Sequence, residues 1–531
     1  NSVGVDIYVD AVINHMADQV GVGVAGSTFN RTSLSYPAFS SWDFNSCSPS
    51  DIQGSDYNNN AYRVRHCQLS GLPDLNQGSP YVRSQIQAYL QDLVDIGVAG
   101  FRIDAAKHME PGDINAILNG VNGNFYVFLE VIDPGGQSVT SGDYTPFHDV
   151  TEFKYSQKIG ETFATGQLSW LSNFGEPWGF MGSTSAVVFV DNHDNQRGHG
   201  MAAQVTHRSG SLYDLANVYL LAWPYGYPKV MSSYEWGGVN DSQGPPSDGS
   251  GNTSSVYNGN GTLNCFGNEW KCEHRWRPIA NMVHFRNYAA DQGAYGISNW
   301  WSNGNNQIAF TRSGASGGAG FVVINREGYG INNQTFQTGL ADGTYCDVIS
   351  GDFDSSAGTC SGNTVTVANG GWATLSVGSM SSVAIYGGAM VGSTPPPSGS
   401  VTVDFTVNGY VTQMGQDIYV VGNVPELGNW NTANAVPLTW QDSDTWSGPV
   451  TFTTSAGQPI EFKFIVIQNG SVTWQGGANN SYTVPSSYSY LKQATDNNFF
   501  SSLSLLSSSN KKPPIGGFSS LLEELDLCST P

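Results

Sequence analysis

The stretch GVAGFRID, residues 97–104, decides the fold, because it is a short apolar run that ends on a carboxylate. It follows a segment with helical periodicity, YVRSQIQAYLQDLVDIG at 81–97. Similar apolar runs that end on polar residues are VDIYVDAVI at 5–13, FYVFLEVI at 125–132 and AVVFVDNHD at 186–194. Strands that alternate with helices and carry polar residues at their carboxyl ends are typical of an α/β fold of the TIM or (β/α)8 barrel type. A doubly wound sheet is the alternative, but it would not easily explain charged residues at the ends of at least four strands.

The composition favours a protein that handles a neutral ligand. The chain has 531 residues, enough for two to four domains. Only 12% of the residues are charged, and the net charge is -22. This acidic balance argues against nucleic acid and anionic membranes as partners, because both attract a basic face. No apolar run reaches the ~18 residues of a membrane span. A neutral polysaccharide is compatible with all of these features.

The cysteine pattern predicts disulfides and a secreted, extracellular protein. Six of the seven cysteines form three locally spaced pairs, and the odd one is Cys528. The three pairs are Cys47 with Cys67, Cys265 with Cys272, and Cys346 with Cys360. Local pairs without a CxxC spacing indicate disulfides formed in an oxidising compartment.

After about residue 290 the pattern changes to short alternating strands with Gly, Ser and Asn turns, which indicates all-β domains. The stretch GSTPPPSGS at 392–400 predicts an extended linker between two of them. The predicted organisation is a barrel domain at 1–290 with a loop-rich B domain at about 16–80, an all-β domain at 291–388, a Pro-rich linker at 389–400, a β sandwich module at 401–486 and a largely disordered tail at 487–531.

Three carboxylates at strand ends, Asp104, Glu130 and Asp194, point to glycoside hydrolysis. That reaction needs a nucleophile or base and an acid on either side of the scissile bond. The strand ends of one barrel face bring together groups that are distant in sequence. We therefore expect these three side chains to form one site.

Four long motifs carry a family resemblance, and they are DAVINH at 10–15, GFRIDAAKHM at 100–109, FLEVID at 128–133 and FVDNHDNQRGHG at 189–200. With these motifs the chain resembles the α-amylases of glycoside hydrolase family 13, in particular the chloride-dependent animal-type branch. The resemblance runs from Asn1 to about Gly388. It implies hydrolysis of α-1,4-glucosidic bonds in starch, glycogen and malto-oligosaccharides by a monomer.

The resemblance also implies a role for each site residue. Asp104 would be the nucleophile, Glu130 the general acid and then base, and Asp194 the residue that holds sugar hydroxyls and favours the distorted ring. The residues expected to contact substrate are His15, Tyr57, Arg102, Lys107, His108 and His193.

Two ions follow from the same resemblance. A calcium ion would take the side chains of Asn14 and Asp74 and the backbone carbonyls of Arg65 and His108, a ligand set of oxygens as calcium requires. A chloride ion would bind Arg102, Asn192 and Lys229 near Glu130 and help to raise the pKa of that acid. Lys229 stands where the animal enzymes usually carry Arg. The lysine ammonium is a point charge and lacks the bidentate geometry of a guanidinium, so Lys229 predicts weaker chloride binding. A plain ion pair between Lys229 and a carboxylate is the alternative.

The module at 401–486 resembles a starch-binding domain of carbohydrate-binding module family 20. The matching stretches are IYVVGNVPELGNWNTANAVPL at 418–438, IEFKFIVIQNGSVTW at 460–474 and NNSYTVP at 479–485. Trp430 and Trp474 match the two stacking tryptophans of that family, and Lys463 matches their polar partner. The residues after Val484 do not resemble the last family strand, so we expect the module to lack its closing strand.

The first recognisable strand resembles the third strand of the family barrel, so the N-terminus is expected to be truncated by two β/α units. Such a chain should be poorly stable, because an incomplete barrel has open edges. The incomplete barrel leaves a non-catalytic starch-binding protein open as an alternative to an α-amylase. A transglycosylase of the same family is a second alternative, because sugar as well as water can take the covalent intermediate.

Overall fold

The computed structural model describes residues 5–23, 26–237, 243–250, 252–265, 267, 269–315, 317–392, 401–407, 409–413, 415–442, 445–452, 459–468, 470–484 and 493–496. They form two units. One holds the described residues up to Asp352 together with Cys360–Met390, and the other holds Phe353–Thr359 and the described residues from Val391 onward.

A parallel sheet organises the first unit. The strands before residue 290 are β1 (Tyr8–Ala11), β2 (Val20–Val22), β3 (Thr28–Asn30), β4 (Gly100–Ile103), β5 (Tyr126–Leu129), β6 (Asp149–Thr151), β7 (Ala186–Val188) and β8 (Tyr227–Pro228). The sheet has the order β1-β4-β5-β6-β7-β8, with every pair parallel. Among the described residues β1 and β8 are its two edges, and β2 and β3 form a separate hairpin.

Seven α-helices accompany these strands in the described residues. They are α1 (Asp56–Asn59), α2 (Ala61–His66), α3 (Pro80–Asp95), α4 (Pro111–Leu118), α5 (Phe153–Ala164), α6 (Ser211–Ala222) and α7 (Arg277–Asp291). Helix α3 shows how the sequence builds this layer. Pro80 stands in its first turn, where a missing N–H costs nothing, and Val82, Ile86 and Leu90 are buried at a spacing of four residues. The barrel-type architecture predicted for this region is confirmed.

The strands are shorter than the apolar runs that predicted them, and one is not apolar on both faces. In β1 only Ala11 is buried, and the carboxylate of Asp10 is exposed. Strand β4 is buried throughout, although it contains Arg102. A buried guanidinium requires ion pairs nearby.

An antiparallel β domain follows α7. The strands of this region are β9 (Gly296–Ser302), β10 (Gln307–Gly314), β11 (Gly317–Asn325), β12 (Ile331–Gln337), β13 (Gly343–Cys346), β14 (Phe353–Asp354), β15 (Thr359–Cys360), β16 (Thr364–Val367), β17 (Trp372–Val377) and β18 (Ser381–Tyr386), of which β14 and Thr359 of β15 belong to the second unit. Strands β18-β11-β10-β9 form one sheet, and β12 pairs with β17 and β13 with β16. Alternate residues of β17 are buried, which is the period of a sheet with one face on a core.

The second unit is mainly a β sandwich. Its strands are β19 (Val401–Val407), β20 (Gln416–Gly422), β21 (Val436–Pro437), β22 (Thr439–Asp442), β23 (Thr445–Phe452), β24 (Pro459–Gln468), β25 (Ser471–Trp474), β26 (Asn480–Thr483) and β27 (Gln493–Asp496). One sheet has the order β22-β23-β19-β27, and the other has β21-β20-β24-β25 with β26 beside β24.

The expectation that this module lacks its closing strand is wrong. Strand β27 lies beyond residue 486 and pairs in parallel with β19, from Asp404 with Gln493 to Val407 with Asp496. The module therefore extends at least to Asp496, into the segment predicted to be disordered. Its short polar sequence can form a strand because β19 supplies the backbone partners. The rest of that tail, with Cys528, lies outside the described residues.

The predicted cysteine pairs are all confirmed, as Cys47–Cys67, Cys265–Cys272 and Cys346–Cys360. In the part of the chain that the structure describes, we find no helix with the length and apolar character needed to cross a bilayer.

Candidate active site

Parallel register brings the strand-end carboxylates together. Arg102 pairs with Asp10 on one side and with Phe128 on the other. One step beyond the strands, the Asp104 N–H donates to the Ala11 carbonyl at 3.1 Å and the Glu130 N–H donates to the Ile103 carbonyl at 3.0 Å. Asp104 and Glu130 therefore project from adjacent strand ends at the carboxyl edge of the sheet.

A single guanidinium joins the carboxylates of this edge. Arg102 Nη1 donates to Asp104 Oδ1 at 2.9 Å and to both oxygens of Asp10 at 2.6 and 2.7 Å. Its Nη2 lies 2.6 Å from Glu130 Oε1. The Arg102 side chain is 7% exposed, so these ion pairs are screened only weakly.

The two central carboxyl groups have different pKa shifts. Burial and the negative charge of Glu130 raise the pKa of Asp104 to about 7, against the opposing effect of Arg102. Burial would also raise the pKa of Glu130, but the Arg102 guanidinium and the Ala105 N–H, which donates to Oε2 at 3.0 Å, hold it below its usual value. The two groups interact strongly, so their protonation is a property of the pair.

Asp194 lies further from its strand than the other two acids. It follows the end of β7 by six residues and begins a helical turn, Asn195–Arg197. Asn192 and Asn195 exchange side-chain to backbone hydrogen bonds of 2.8 Å, and these turn the chain before Asp194. Asp194 Oδ2 lies 3.6 Å from Nε2 of the neighbouring His193.

Two histidines of the predicted substrate set have lowered pKa values, His15, which is half-buried, and His108, which is buried. Burial lowers the pKa of His15 to about 4 and that of His108 to about 4. His108 Nδ1 lies 2.9 Å from the Val64 carbonyl, which holds the ring against α2. Neutral imidazoles can both donate to and accept from sugar hydroxyls.

Lys107 is more enclosed than a substrate-contacting lysine is expected to be, at 4% exposed. Its ammonium donates to the Ile132 carbonyl at 2.5 Å and also to the Gln137 side chain, and it lies 5.4 Å from the centre of the Tyr57 ring. Burial lowers its pKa to about 8. In this geometry Lys107 holds the segment that follows Glu130.

The residues predicted to bind calcium show two buried oxygens without hydrogen-bond partners, Asn14 Oδ1 and Asp74 Oδ1. Backbone pairing joins these residues, because the Leu75 N–H donates to the Asn14 carbonyl at 2.9 Å. Burial raises the pKa of Asp74 to about 8. Among the described residues no cluster of three or more His, Cys, Asp or Glu side chains could hold a metal. The residues predicted to bind calcium would supply only one side chain of these types, that of Asp74. Their other ligands are a side-chain amide and two backbone carbonyls.

The residues predicted to bind chloride line one small cavity. Arg102, Asn192 and Lys229 border a space of about 40 Å³, which is enough for one small ion or one or two waters. The Asn192 Oδ1 already accepts from the Asn195 N–H, so its amide nitrogen is the group suited to an anion. Lys229 Nζ lies 3.7 Å from the centre of the Phe128 ring. Asp191 also borders the cavity, and burial raises the pKa of its carboxyl well above the usual range.

In the second unit the two predicted stacking residues are neighbours. The ring centres of Trp430 and Trp474 lie 6.3 Å apart with an interplanar angle of 42°, and Trp474 is 40% exposed. Lys463 Nζ donates to the carbonyls of Gln475 at 3.0 Å and Gly477 at 2.7 Å. Its ammonium thus fixes the loop after Trp474.

Two features of the site were not predicted from the sequence. Asp10 binds Arg102 with both oxygens. The sequence feature that could have revealed this residue is a carboxylate within an apolar strand pattern. Ala105 has a φ of 49°, in the left-handed region, and this conformation accompanies its N–H bond to Glu130. A positive φ at Ala leaves no sequence signal.

Comparisons with known proteins agree with this architecture. Family models match the α-amylase catalytic domain at residues 1–119, the α-amylase C-terminal all-β domain at 300–388 and a starch-binding domain at 400–494. An α-amylase of Pecten maximus is 45% identical over 414 residues, covering 74% of this chain and 79% of the relative. The α-amylase 1B of Homo sapiens is 47% identical over 407 residues, covering 71% and 77%.

A solved structure is similar over the same region. The crystal structure of wild-type α-amylase I from Eisenia fetida has a TM-score of 0.65 and 42% identity, and covers 72% of this chain and 82% of that one. A mutant of the same enzyme was solved as a maltohexaose complex.

A parallel sheet with clustered carboxylates at its carboxyl edge is the arrangement expected of a glycoside hydrolase, and the α-amylase relatives show that this chain is one. Its relatives then fix the family. The chain belongs to the α-amylases, carries their C-terminal β domain and a starch-binding domain, and hydrolyses starch.

Proposed function

We propose that this chain cleaves internal α-1,4-glucosidic bonds with retention of anomeric configuration, using Asp104 as nucleophile and Glu130 as acid and base. The observation that carries the proposal is the Arg102 guanidinium, which bonds Asp104 at 2.9 Å and approaches Glu130 at 2.6 Å. Two carboxyl groups bridged by one guanidinium are compatible with the separation of about 5 Å that retaining enzymes use.

The proposed reaction has two steps. A carboxylate oxygen of Asp104 attacks the anomeric carbon, the bond to the leaving oxygen breaks, and Glu130 gives its proton to that oxygen. A water then attacks the glycosyl-enzyme, Glu130 takes back one proton, and the bond to Asp104 breaks. Asp194, with His193 at 3.6 Å, would hold the sugar hydroxyls while the ring flattens.

This scheme requires a proton on Glu130, whereas Arg102 favours its ionised form. An anion that shared Arg102 would weaken the ion pair and raise the pKa of Glu130. We propose chloride for this role, held by Arg102, Asn192 and Lys229. The small cavity that all three line supports the proposal.

We propose calcium as the structural ion beside the site. Asn14 Oδ1 and Asp74 Oδ1, which are buried without hydrogen-bond partners, supply oxygens of the kind calcium prefers. The backbone carbonyls of Arg65 and His108 would complete the protein ligands. A divalent cation there would offset the burial that raises the pKa of Asp74.

The remaining proposals concern binding and location. Trp430 and Trp474 would stack on glucose rings of starch, and Lys463 would position the second ring through the loop that it fixes. The residues proposed to contact sugars at the cleavage site are His15, Tyr57, Arg102, Lys107, His108 and His193. Three disulfides support a secreted enzyme. We propose glycogen and malto-oligosaccharides as further substrates and a monomer as the active form.

A reducing-sugar assay on soluble starch tests the catalytic assignment. We expect Asp104→Asn and Glu130→Gln each to lower turnover by at least about 10³-fold, within the range for loss of a nucleophile or general acid. The matched control is Asp352→Asn, which removes an exposed carboxylate that bonds Arg277 instead. Loss of less than tenfold in either catalytic variant would refute the assignment.

A further inference from the structure

The all-β domain of the first unit carries a groove that shares no lining residue with the active site. Its volume is about 960 Å³, and its walls come from β12, β16 and β17 and the segments beside them. This volume lies at the upper end of the range for small-molecule sites.

Hydroxyl groups line the groove because the side chains of each strand alternate between the core face and the exposed face. On β17, Thr374 and Ser376 point outward while Leu375 between them is buried. On β16, Thr364 and Thr366 are exposed in the same way. The groove is therefore a polar surface laid over a β core.

One aromatic ring stands in this polar surface. Trp372 is the first residue of β17 and is 47% exposed. Water-exposed tryptophan on a β surface offers a flat apolar face, and such faces are common in binding sites.

The turn that presents Trp372 is held firmly. Gly370 and Gly371 have φ values of 78° and 95°, and both of their N–H groups donate to Asp342 Oδ1, at 2.9 and 3.0 Å. The Thr338 N–H and hydroxyl both donate to the Gly371 carbonyl. A ligand would thus meet a ring whose backbone is already fixed, so little ordering cost would oppose binding.

The lining selects for a neutral, hydroxylated ligand. Its one ionisable side chain is Asp347, which is 3% exposed and whose Oδ1 accepts from the N–H groups of Ile349 and Ala384. Threonine, serine and asparagine side chains can donate to and accept from sugar hydroxyls, and the Trp372 ring can cover the apolar face of a pyranose. We propose that this groove is a second α-glucan binding site, which holds a segment of the starch chain outside the active site.

Adsorption to granular starch at 4 °C tests the proposal in the full chain. The starch-binding domain must first be silenced with Trp430→Ala and Trp474→Ala, so that residual adsorption can be measured. In that background we expect Trp372→Ala to lower residual adsorption at least fivefold. Trp170→Ala is the matched control, because Trp170 is 53% exposed and does not line the groove.

A second substitution guards against a local folding defect. Thr366→Glu leaves Trp372 in place but adds a charge to the groove, and we expect a similar loss of adsorption. Turnover of a soluble maltotrioside and the thermal unfolding midpoint should stay unchanged in both variants. Residual adsorption that either variant retains in full would overturn the proposal, without bearing on the catalytic assignment.

Discussion

Asp10 is expected to set the pH range of the enzyme through Arg102, and Asp10→Asn tests this. The negative charge of Asp10 is among the causes that raise the pKa of Asp104. Removing it lowers that pKa directly. It also leaves Arg102 with fewer anions to neutralise, so the guanidinium stabilises the ionised forms of Asp104 and Glu130 more strongly. Both effects have the same sign.

The size of the shift follows from the geometry. Asp10 Oδ1 and Asp104 Oδ1 bond the same Nη1 at 2.6 and 2.9 Å, so they lie no more than about 5.5 Å apart. Two unit charges at that distance interact by about 0.8 kcal/mol in bulk water and about 3 kcal/mol at an effective dielectric constant of 20. The Asp10 side chain is 43% exposed, which favours the lower figure. We therefore expect a shift of about 0.5 to 1 pH unit.

The assay is the pH profile of kcat/KM on a soluble maltotrioside. The active form carries an ionised Asp104 and a protonated Glu130, and the two groups titrate as a pair. Because loss of the Asp10 charge favours the ionised form of both groups, both limbs of the profile should move to lower pH in Asp10→Asn. Asp18→Asn is the matched control, because it removes an equal charge from a partner of Arg31. Limbs that stay in place, or move to higher pH, would refute the reasoning.

The other predictions concern the ions and the starch-binding domain. Asp74→Asn should remove most of the calcium-dependent rise in the unfolding midpoint, which we expect to be several degrees in the unsubstituted chain; an equal rise in both would contradict the calcium proposal. Lys229→Gln should raise the chloride concentration for half-maximal activity about tenfold, because one of two cations is lost; an unchanged chloride titration would rule out that ligand. Trp474→Ala should lower adsorption to granular starch at least tenfold while hydrolysis of soluble maltotrioside stays constant; full adsorption would show that the ring does not stack on starch.

The sequence predicted the family because the four motifs are long and contain residues of rare type. It also predicted the cysteine pairs, whose spacing is local. Asp104 and Glu130 directly follow β4 and β5, as the apolar runs indicated. Relations between distant residues were harder to predict. The pairing of Asp10 with Arg102 depends on strand register across some 90 residues, and no local pattern encodes it.

The closing strand β27 was missed for a similar physical reason. Gln493–Asp496 has little apolar character, and its identity as a strand comes from the backbone of β19. Lys107 gave a different difficulty, since a lysine in a motif was expected to face a ligand. Its ammonium also donates to the Ile132 carbonyl, a contact that depends on the path of the chain after Glu130, and the predicted contact with substrate stays a prediction.

The register of the parallel sheet has a consequence for how the protein is made. Strand β1 pairs with β4, from Tyr8 with Gly100 to Ala11 with Ile103. At a synthesis rate of about 5–20 residues per second, β1 leaves the ribosome roughly 5–20 s before β4 exists. During that interval the backbone of β1 has no β4 strand to pair with. The segment between the two strands is synthesised before the pair can form. Synthesis slowed between residues 12 and 100 would lengthen this exposure, so the yield of folded enzyme should depend on translation speed in that segment more than in the segment of β9, β10 and β11, whose antiparallel partners follow within about 20 residues.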